Sequence, residues 1–466
     1  MKRALLLILA IAATLSSFAY DFSAKNAEGV TIYYKRLDAA TVEVTWGDAK
    51  YSGYVAVPAK VSDGTTDYSV VGVGDRAFDS CYELTGASLP EGVTYIGIEG
   101  FDDCESLTEI SLPNTLENIG LYGLYATDIM ELTIPASVKY IDYYAFCECY
   151  SLERLVCHAD PDGWGMGLFS YCPALQSIEG EYATDDGRCL VSGNTLYAFA
   201  PAGLTTYTFP ETVEIIPAET CEGGCQYDEE QGKYVGIQVL SLPAVKEVGF
   251  EAFNDAFTLQ SVTIGPDIEY IDQDVFLASS ELRTIIMHSQ DPTAIDASKY
   301  LVDPAIYETC LLRVPAGTMS LYSVTEPWLN FMNVEEFYEV QDIVFRDHEV
   351  RIPIGGEHLL GVTILPETIP QYMLEWGSDD LSIATVNQDG LIKGLAEGTT
   401  MVYAYIDDVY DQCVVTVYDE SALSVIDTDS AEAAYYTLDG LQVGRPVAPG
   451  IYIVRQGPTV SKLLVR

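Results

Sequence analysis

The chain has 466 residues, with 70 acidic against 23 basic side chains and a formal net charge of −47. A field of that sign repels nucleic acid and anionic lipid surfaces, so neither is expected as a partner. Hydrophobic content of 48% is that of chains that fold, and the length accommodates about two to four domains.

In chain order, Met1-Lys2-Arg3 and the apolar run from Ala4 to Phe18 read as a signal peptide over residues 1–19. The run is shorter than the roughly 20 apolar residues of a membrane span. Cleavage after Ser17-Phe18-Ala19 leaves 21 basic and 70 acidic residues, a net charge of −49, and no cysteine follows to take a lipid. The expected product is exported, secreted or on the cell surface, with no membrane insertion after cleavage. Its acidity reads first as a solubility device and second as an attraction for cations or basic proteins.

Residues 20–70 alternate apolar and polar, as in Val42-Glu43-Val44-Thr45-Trp46 and Tyr54-Val55-Ala56-Val57, and are expected to form an N-terminal β cap. Residues 71–335 carry one segment at a period of 22 or 23. Phe78, Phe101, Phe146, Phe169, Phe253 and Phe276 mark it, and Leu124 takes the Phe slot in the 22-residue unit. Three residues on stand Cys81, Cys104, Cys149 and Cys172, then a Leu and an alternating stretch such as Ile110-Ser111-Leu112-Pro113. A fixed period of this size predicts a solenoid whose units stack to bury their Phe and Leu. The cysteines then form one column of parallel side chains, which suits buried thiols better than disulfides. Cys147, Cys221 and Cys225 stand off the column, and a Cys221–Cys225 bridge stays open. Two insertions interrupt the series: residues 179–206, read as a hairpin-like excursion around Ser192-Gly193-Asn194, and Gln226 to Tyr234, read as a polar loop. Tyr322, Trp328 and Phe331 are expected to close the array.

Residues 340–418 read as short strands between turn signals, a β-sandwich. Residues 419–432 are acidic and Ser-rich, an expected linker, and residues 433–466 a small C-terminal β domain. The fold class is therefore mainly β: a solenoid with short parallel strands, a sandwich and a terminal β unit.

The repeat residues resemble the BspA-like leucine-rich repeats of bacterial surface proteins. That resemblance implies a curved solenoid with one short parallel strand per coil, surface display, and protein or glycan binding, including adhesion. Cys221 in the Phe slot and Thr127 in the Cys slot depart from the pattern and predict irregular coils there. Trp376-Gly377-Ser378-Asp379-Asp380, Ile383-Ala384-Thr385-Val386 and Gly390-Leu391-Ile392-Lys393-Gly394 resemble a bacterial Ig-like domain of group 2, which implies a spacer. Tyr436-Thr437-Leu438-Asp439-Gly440, Pro449-Gly450-Ile451-Tyr452-Ile453-Val454 and Lys462-Leu463-Leu464-Val465-Arg466 are similar to the C-terminal sorting domains of type IX secretion, which implies a Bacteroidetes-type bacterium.

No set of nucleophile, base and orienting group stands out, and no enzyme activity, cofactor or catalytic residue is expected. His348-Glu349 lacks the second His of a zinc-protease helix, and His158 and His288 read as strand-end surface residues. Asp160-Pro161-Asp162-Gly163 resembles half a calcium loop without its later Glu, so at most weak Ca²⁺ binding is expected and no metal site is assigned. Binding is expected instead on the outward positions of the strands, as one continuous polar sheet surface. These are Thr108, Glu109 and Ser111; Glu131 and Thr133; Glu153 and Arg154; Gln176 and Ser177; Gln260, Ser261 and Thr263; Arg283 and Thr284. An extracellular protein or glycan is the expected partner; a glycan-binding accessory module or a periplasmic scaffold is the alternative, and the ligand's identity stays open.

Overall fold

The computed structural model describes residues 20–420, 433–456 and 459–466. The signal peptide therefore lies outside the described residues, as does the linker from residue 421 on. The chain divides into two compact units, one ending at Phe337 and the other beginning at Tyr338.

In the first unit, Phe22–Lys25, Thr31–Arg36 and Thr41–Thr45 form an antiparallel meander. Thr41–Thr45 then pairs in parallel with Asp67–Val73, and Asp67–Val73 with Tyr95–Ile96. The meander thereby continues into the sheet of the coils and covers its first edge, which an isolated end would leave open.

Each regular coil contributes two parallel strands, where the resemblance implied one. The longer strands, such as Arg154–Cys157 and Ser261–Ile264, line one face. Two-residue strands such as Tyr95–Ile96, Asn118–Ile119 and Tyr140–Ile141 line a second. The second strand has a sequence cause: Val93-Thr94-Tyr95-Ile96, Leu116-Glu117-Asn118-Ile119 and Val138-Lys139-Tyr140-Ile141 bury their first and fourth residues and leave the middle pair to run along the edge.

The third face is made of turns. The Phe-slot residue sits between two left-handed residues, two before and two after it: Arg76 and Ser80, Glu99 and Asp103, Tyr122 and Ala126, Tyr144 and Glu148. Such backbone costs a non-glycine residue on the order of 1 kcal/mol. It persists because it turns three N–H groups per coil toward carbonyls of the next. Phe78 N donates to Gly100 O at 2.9 Å and Phe101 N to Gly123 O at 2.9 Å. Beyond the Cys221 coil the ladder is whole, with Cys221 N donating to Ala252 O at 3.0 Å and Glu219 and Gly223 in the left-handed positions. Between the Phe169 coil and this one, among the described residues, only the rung from Tyr171 N to Glu222 O remains, beside a bond from Ser170 Oγ to Glu219 O. The irregularity expected at Cys221 therefore shows on the side that faces the Phe169 coil and not on the side that faces the Phe253 coil.

The core follows the columns. Phe78 and Phe101 stack at 4.5 Å and 5°, Phe146 and Phe169 at 5.1 Å and 13°, Phe253 and Phe276 at 5.7 Å and 11°. All 11 cysteines are free thiols. Those of the column point at the Phe slot of the preceding coil: Cys104 Sγ donates to Phe78 O (3.1 Å), Cys149 to Leu124 O (3.4 Å) and Cys172 to Phe146 O (3.3 Å). The slot takes a small side chain, and Thr127 fills it while donating to Leu124 O of its own coil at 3.2 Å.

The insertions differ from their expected form. Cys189–Ser192 and Thr195–Phe199 do form a hairpin, but it is no excursion: Thr195–Phe199 pairs in parallel with Ile215–Ile216 and starts the second-face sheet of the later coils. Alternation along the hairpin divides the core. Leu190 and Ala198 belong to the N-terminal cluster, while Cys189, Leu196 and Phe199 belong to the C-terminal one. The segment read as a loop is also a hairpin, Gln226–Asp228 against Lys233–Val235; the Asp228 carboxylate accepts from Glu230 N and Gln231 N and fixes its turn. Tyr322 and Trp328 are buried at the end of the array, and Tyr322 donates to Ser289 O at 2.8 Å.

In the second unit, residues 342–418 form a sandwich. One sheet joins Glu349–Pro353, Val409–Tyr418, Gly398–Ile406 and Glu375–Ser378; the other joins Glu357–Leu359, Leu391–Gly394 and Ala384–Val386. Phe345 stacks on Trp376 at 5.5 Å within its core. Ala434–Tyr436, Gln442–Val443, Gly450–Gln456 and Thr459–Val465 form a separate antiparallel sheet.

Candidate binding faces

All fourteen residues picked out on the strand face lie at the surface, exposed or half-buried. Parallel pairing sets them in register: Glu131 beside Arg154 beside Ser177, and Ser261 beside Thr284. Arg154 forks onto Glu179 at 2.8 and 2.7 Å and approaches Glu131 at 3.6 Å. Its guanidinium holds the Glu179 carboxyl below the usual carboxylate range, through the hydrogen bond first.

The face is not the continuous sheet the spacing predicted. It is three sheets, carrying Thr108, Glu109 and Ser111; then Glu131, Thr133, Glu153, Arg154, Gln176 and Ser177; then Gln260, Ser261, Thr263, Arg283 and Thr284. The first break coincides with the 22-residue coil, where Ile129 follows the Phe slot by five residues while Leu107 follows it by six. The missing residue shortens the connection into Glu131–Ile134, which does not pair with Glu109–Ser111. The second break is the inserted hairpin.

The turn face carries a feature the reading of the strands passed over. The positions two before and two after the Phe slot, with their neighbours, bring tyrosines and carboxylates into a concavity of about 470 Å³ walled by Asp102, Tyr122, Tyr125, Tyr144, Tyr171 and Glu222, among others. Tyr122 stacks on Tyr144 at 5.4 Å and 13° and meets Tyr125 edge-on at 5.3 Å. Tyr125 and Tyr150 both donate to Glu148. Tyr171 Oη lies 3.0 Å from Glu222 Oε1 and 2.7 Å from Asp255 Oδ2, and Asn254 Nδ2 donates to Glu222 Oε1 at 2.8 Å. Burial, then mutual repulsion, pushes the Asp102 carboxyl up to about 6, and burial pushes Glu222 up to about 7. A second concavity of about 650 Å³ shares Tyr171 and is lined by Tyr150, Tyr227, Tyr234 and Phe257. Reading the period at the Phe slot plus and minus two would have found this column, since Tyr122, Tyr144, Glu148, Tyr171 and Asp255 all occupy it.

The remaining polar candidates carry ordinary structure. Asp160 Oδ1 accepts from Asp162 N at 3.1 Å and Ser192 Oγ at 2.7 Å, which ties its loop to the inserted hairpin. His348 Nε2 lies 3.0 Å from Asp411 Oδ2 beside the strand Glu349–Pro353. His158 is exposed, and His288 meets Phe337 edge-on at 5.1 Å. Among the described residues no group of three or more His, Cys, Asp or Glu is placed to hold a metal, and no helix is long and apolar enough to cross a membrane.

Residues 72–184 and 195–300 match the BspA type leucine rich repeat region, in six copies, and residues 339–417 match the bacterial Ig-like domain of group 2. The chain thus carries a leucine-rich-repeat solenoid of BspA type followed by an Ig-like domain. No curated protein sequence matches it. Among solved structures it is similar to the pneumococcal vaccine antigen PcpA, at 14% identity over 69% of this chain and 99% of that one, with a TM-score of 0.37. A leucine-rich repeat protein from Bacteroides ovatus matches at 20% identity over 69% and 100% of the two chains, TM-score 0.30. A leucine rich cell surface protein from Faecalibacterium prausnitzii matches at 17% over 67% and 97%, TM-score 0.32.

Proposed function

We propose that this chain is an exported cell-surface binding or adhesion protein without catalytic activity. In this reading the strand face of the solenoid engages an extracellular partner, the Ig-like domain is a spacer, and residues 433–466 are a sorting or anchoring tail. One observation carries it: polar side chains of successive coils stand in register at the surface, exposed or half-buried, Glu131, Arg154 and Ser177 among them, while their strand neighbours Leu132, Leu155 and Ile178 are buried. A solenoid uses such a surface for partners. Leucine-rich repeats and an Ig-like domain in one chain fit the role. None of the fourteen strand-face residues is aromatic, which favours a protein ligand. The exposed rings of Tyr150, Tyr227 and Tyr234, on another face, are what favours the second reading, an accessory glycan-binding protein.

The test begins on intact cells. Antibody to the Ig-like domain should stain cells expressing the whole chain and not those expressing a chain lacking residues 433–466. Staining confined to permeabilised cells in both cases would overturn surface display and leave a periplasmic scaffold. Arrays of extracellular proteins and glycans, probed with the wild type and with Arg154→Glu, then separate the two ligand classes.

A further inference from the structure

The trough on the turn face has the chemistry of a cation site. From Glu99 to Asp274 its turn segments, residues 97–106, 120–128, 142–151, 165–174, 217–226, 249–258 and 272–281, contain no Lys or Arg. Arg76, one coil earlier, is spent on Glu99 at 2.8 Å. Among the described residues no Lys or Arg pairs with Asp102, Glu148, Glu222 or Asp255, although Glu222 is only 8% exposed. Both hydrogen bonds to Glu222 fall on Oε1, and none falls on Oε2. Tyr171 has one proton to offer Glu222 and Asp255, so when it goes to Asp255 the Glu222 carboxylate keeps Asn254 as its donor, and when it goes to Glu222 the Asp255 carboxylate loses the phenol. A buried carboxylate without a cation is costly, and a cation that entered would relieve it. The Tyr122 and Tyr144 rings line the same concavity and add attraction for a cation and little for an anion.

We propose that this tyrosine-and-carboxylate trough, centred on Tyr122, Tyr144, Glu148, Tyr171 and Glu222, binds a Lys- or Arg-bearing segment of a partner protein. The inference rests on the reading of the solenoid as a partner-binding scaffold, but it places this contact on the turns and not on the strands. A neutral sugar fits less well. Its hydroxyls would compete with tyrosine donors already bonded to Glu148, Glu222 and Asp255, whereas a cation adds to those bonds and lowers the local repulsion. The net charge of −47 steers the same class of partner toward the surface.

The test is calorimetric titration of the mature chain with a deca-lysine peptide, a Gly/Ser peptide of equal length, and cellohexaose, at low and at physiological salt. Deca-lysine alone should bind, and salt should weaken it. Glu148→Gln with Glu222→Gln should weaken binding by about tenfold, against about twofold for Glu28→Gln with Glu308→Gln, which removes two carboxylates from exposed sites elsewhere. Ala126→Arg gives a second variant that keeps every trough residue. Its position is the one that Glu148 and Tyr171 occupy in later coils with the same left-handed backbone, so a long side chain fits. It should abolish deca-lysine binding by supplying the cation internally. Equal weakening by the two charge-removing pairs, or no deca-lysine binding by the wild type, overturns the proposal. So does cellohexaose binding that Ala126→Arg blocks while deca-lysine is unaffected, which would assign the trough to a glycan. None of these outcomes depends on the strand face, whose own ligand is tested by Arg154→Glu.

Discussion

Replacing Phe101 by Ala tests the stacking that the whole solenoid depends on. The Phe101 ring is fully buried, lies 4.5 Å from the Phe78 ring at 5°, and has buried Leu124 in the same slot of the next coil. Loss of the ring forfeits about 2 kcal/mol of transfer free energy. The void approaches the ring's own volume, about 100 Å³, because both walls are pinned; at about 24 cal/mol per Å³ this adds about 2.4 kcal/mol. The pins are the bonds from Phe78 N to Gly100 O and from Phe101 N to Gly123 O, both 2.9 Å. The lost ring pair contributes about another 0.5 kcal/mol or more. The expected loss is therefore about 4 to 5 kcal/mol. Native-state hydrogen exchange at the Phe78 and Phe101 amides reads it locally, and urea unfolding followed by near-UV circular dichroism reads it globally. A loss below about 1.5 kcal/mol would refute the pinned-wall argument, since only a collapsing coil could absorb the ring so cheaply.

The pH dependence of stability should expose Glu222. Its carboxyl is raised to about 7 in the folded chain, so the folded state binds the extra proton between about pH 4.5 and 7 and stability falls as pH rises through that window. Thermal unfolding should therefore come higher at pH 5 than at pH 7.5, and Glu222→Gln should flatten the difference. Alkylation of the native protein followed by mass spectrometry should label Cys225 first, since it is half-buried while the other ten thiols are buried. Prior labelling of Cys104 would show that the column opens. Gly180→Ala should cost about 3 kcal/mol or more in urea unfolding, because its backbone is left-handed at φ +128° and a Cβ would stand 1.8 Å from Cys157 O. Arg154→Met should cost less than about 1 kcal/mol, because its pairs with Glu131 and Glu179 are exposed, and a larger loss would mean that they order the strand face.

The sequence by itself determined whatever repeats. Phe78 to Phe169 at a period of 22 or 23 requires one slot stacked on itself, and a Cys three residues on must then stack as well; the thiols that bond to the preceding coil's carbonyls are the direct result. The strand-face residues were legible for the same reason, since alternation along each Leu-x-x-Ile segment decides which side chains face out. Tertiary structure alone decided what happens where the period breaks. The one-residue deletion before Ile129 splits the strand sheet yet leaves the turn ladder whole, because the turns bond outward from either side of the Phe slot and the deletion falls beyond them. The inserted hairpin serves two cores because its alternation has a partner on both sides, which no local pattern reveals. The trough is half such a case, since its tyrosine column lies on the period while the meeting of Tyr171 with Glu222 does not. Tyr171 meets Glu222 across 51 residues and Asp255 across 84, separations that match no multiple of the repeat because the insertions lie between. Only the stacking of the Phe169 coil directly on the Cys221 coil, through Tyr171 N to Glu222 O at 3.0 Å, brings a phenol to two carboxylates and leaves them without a cation.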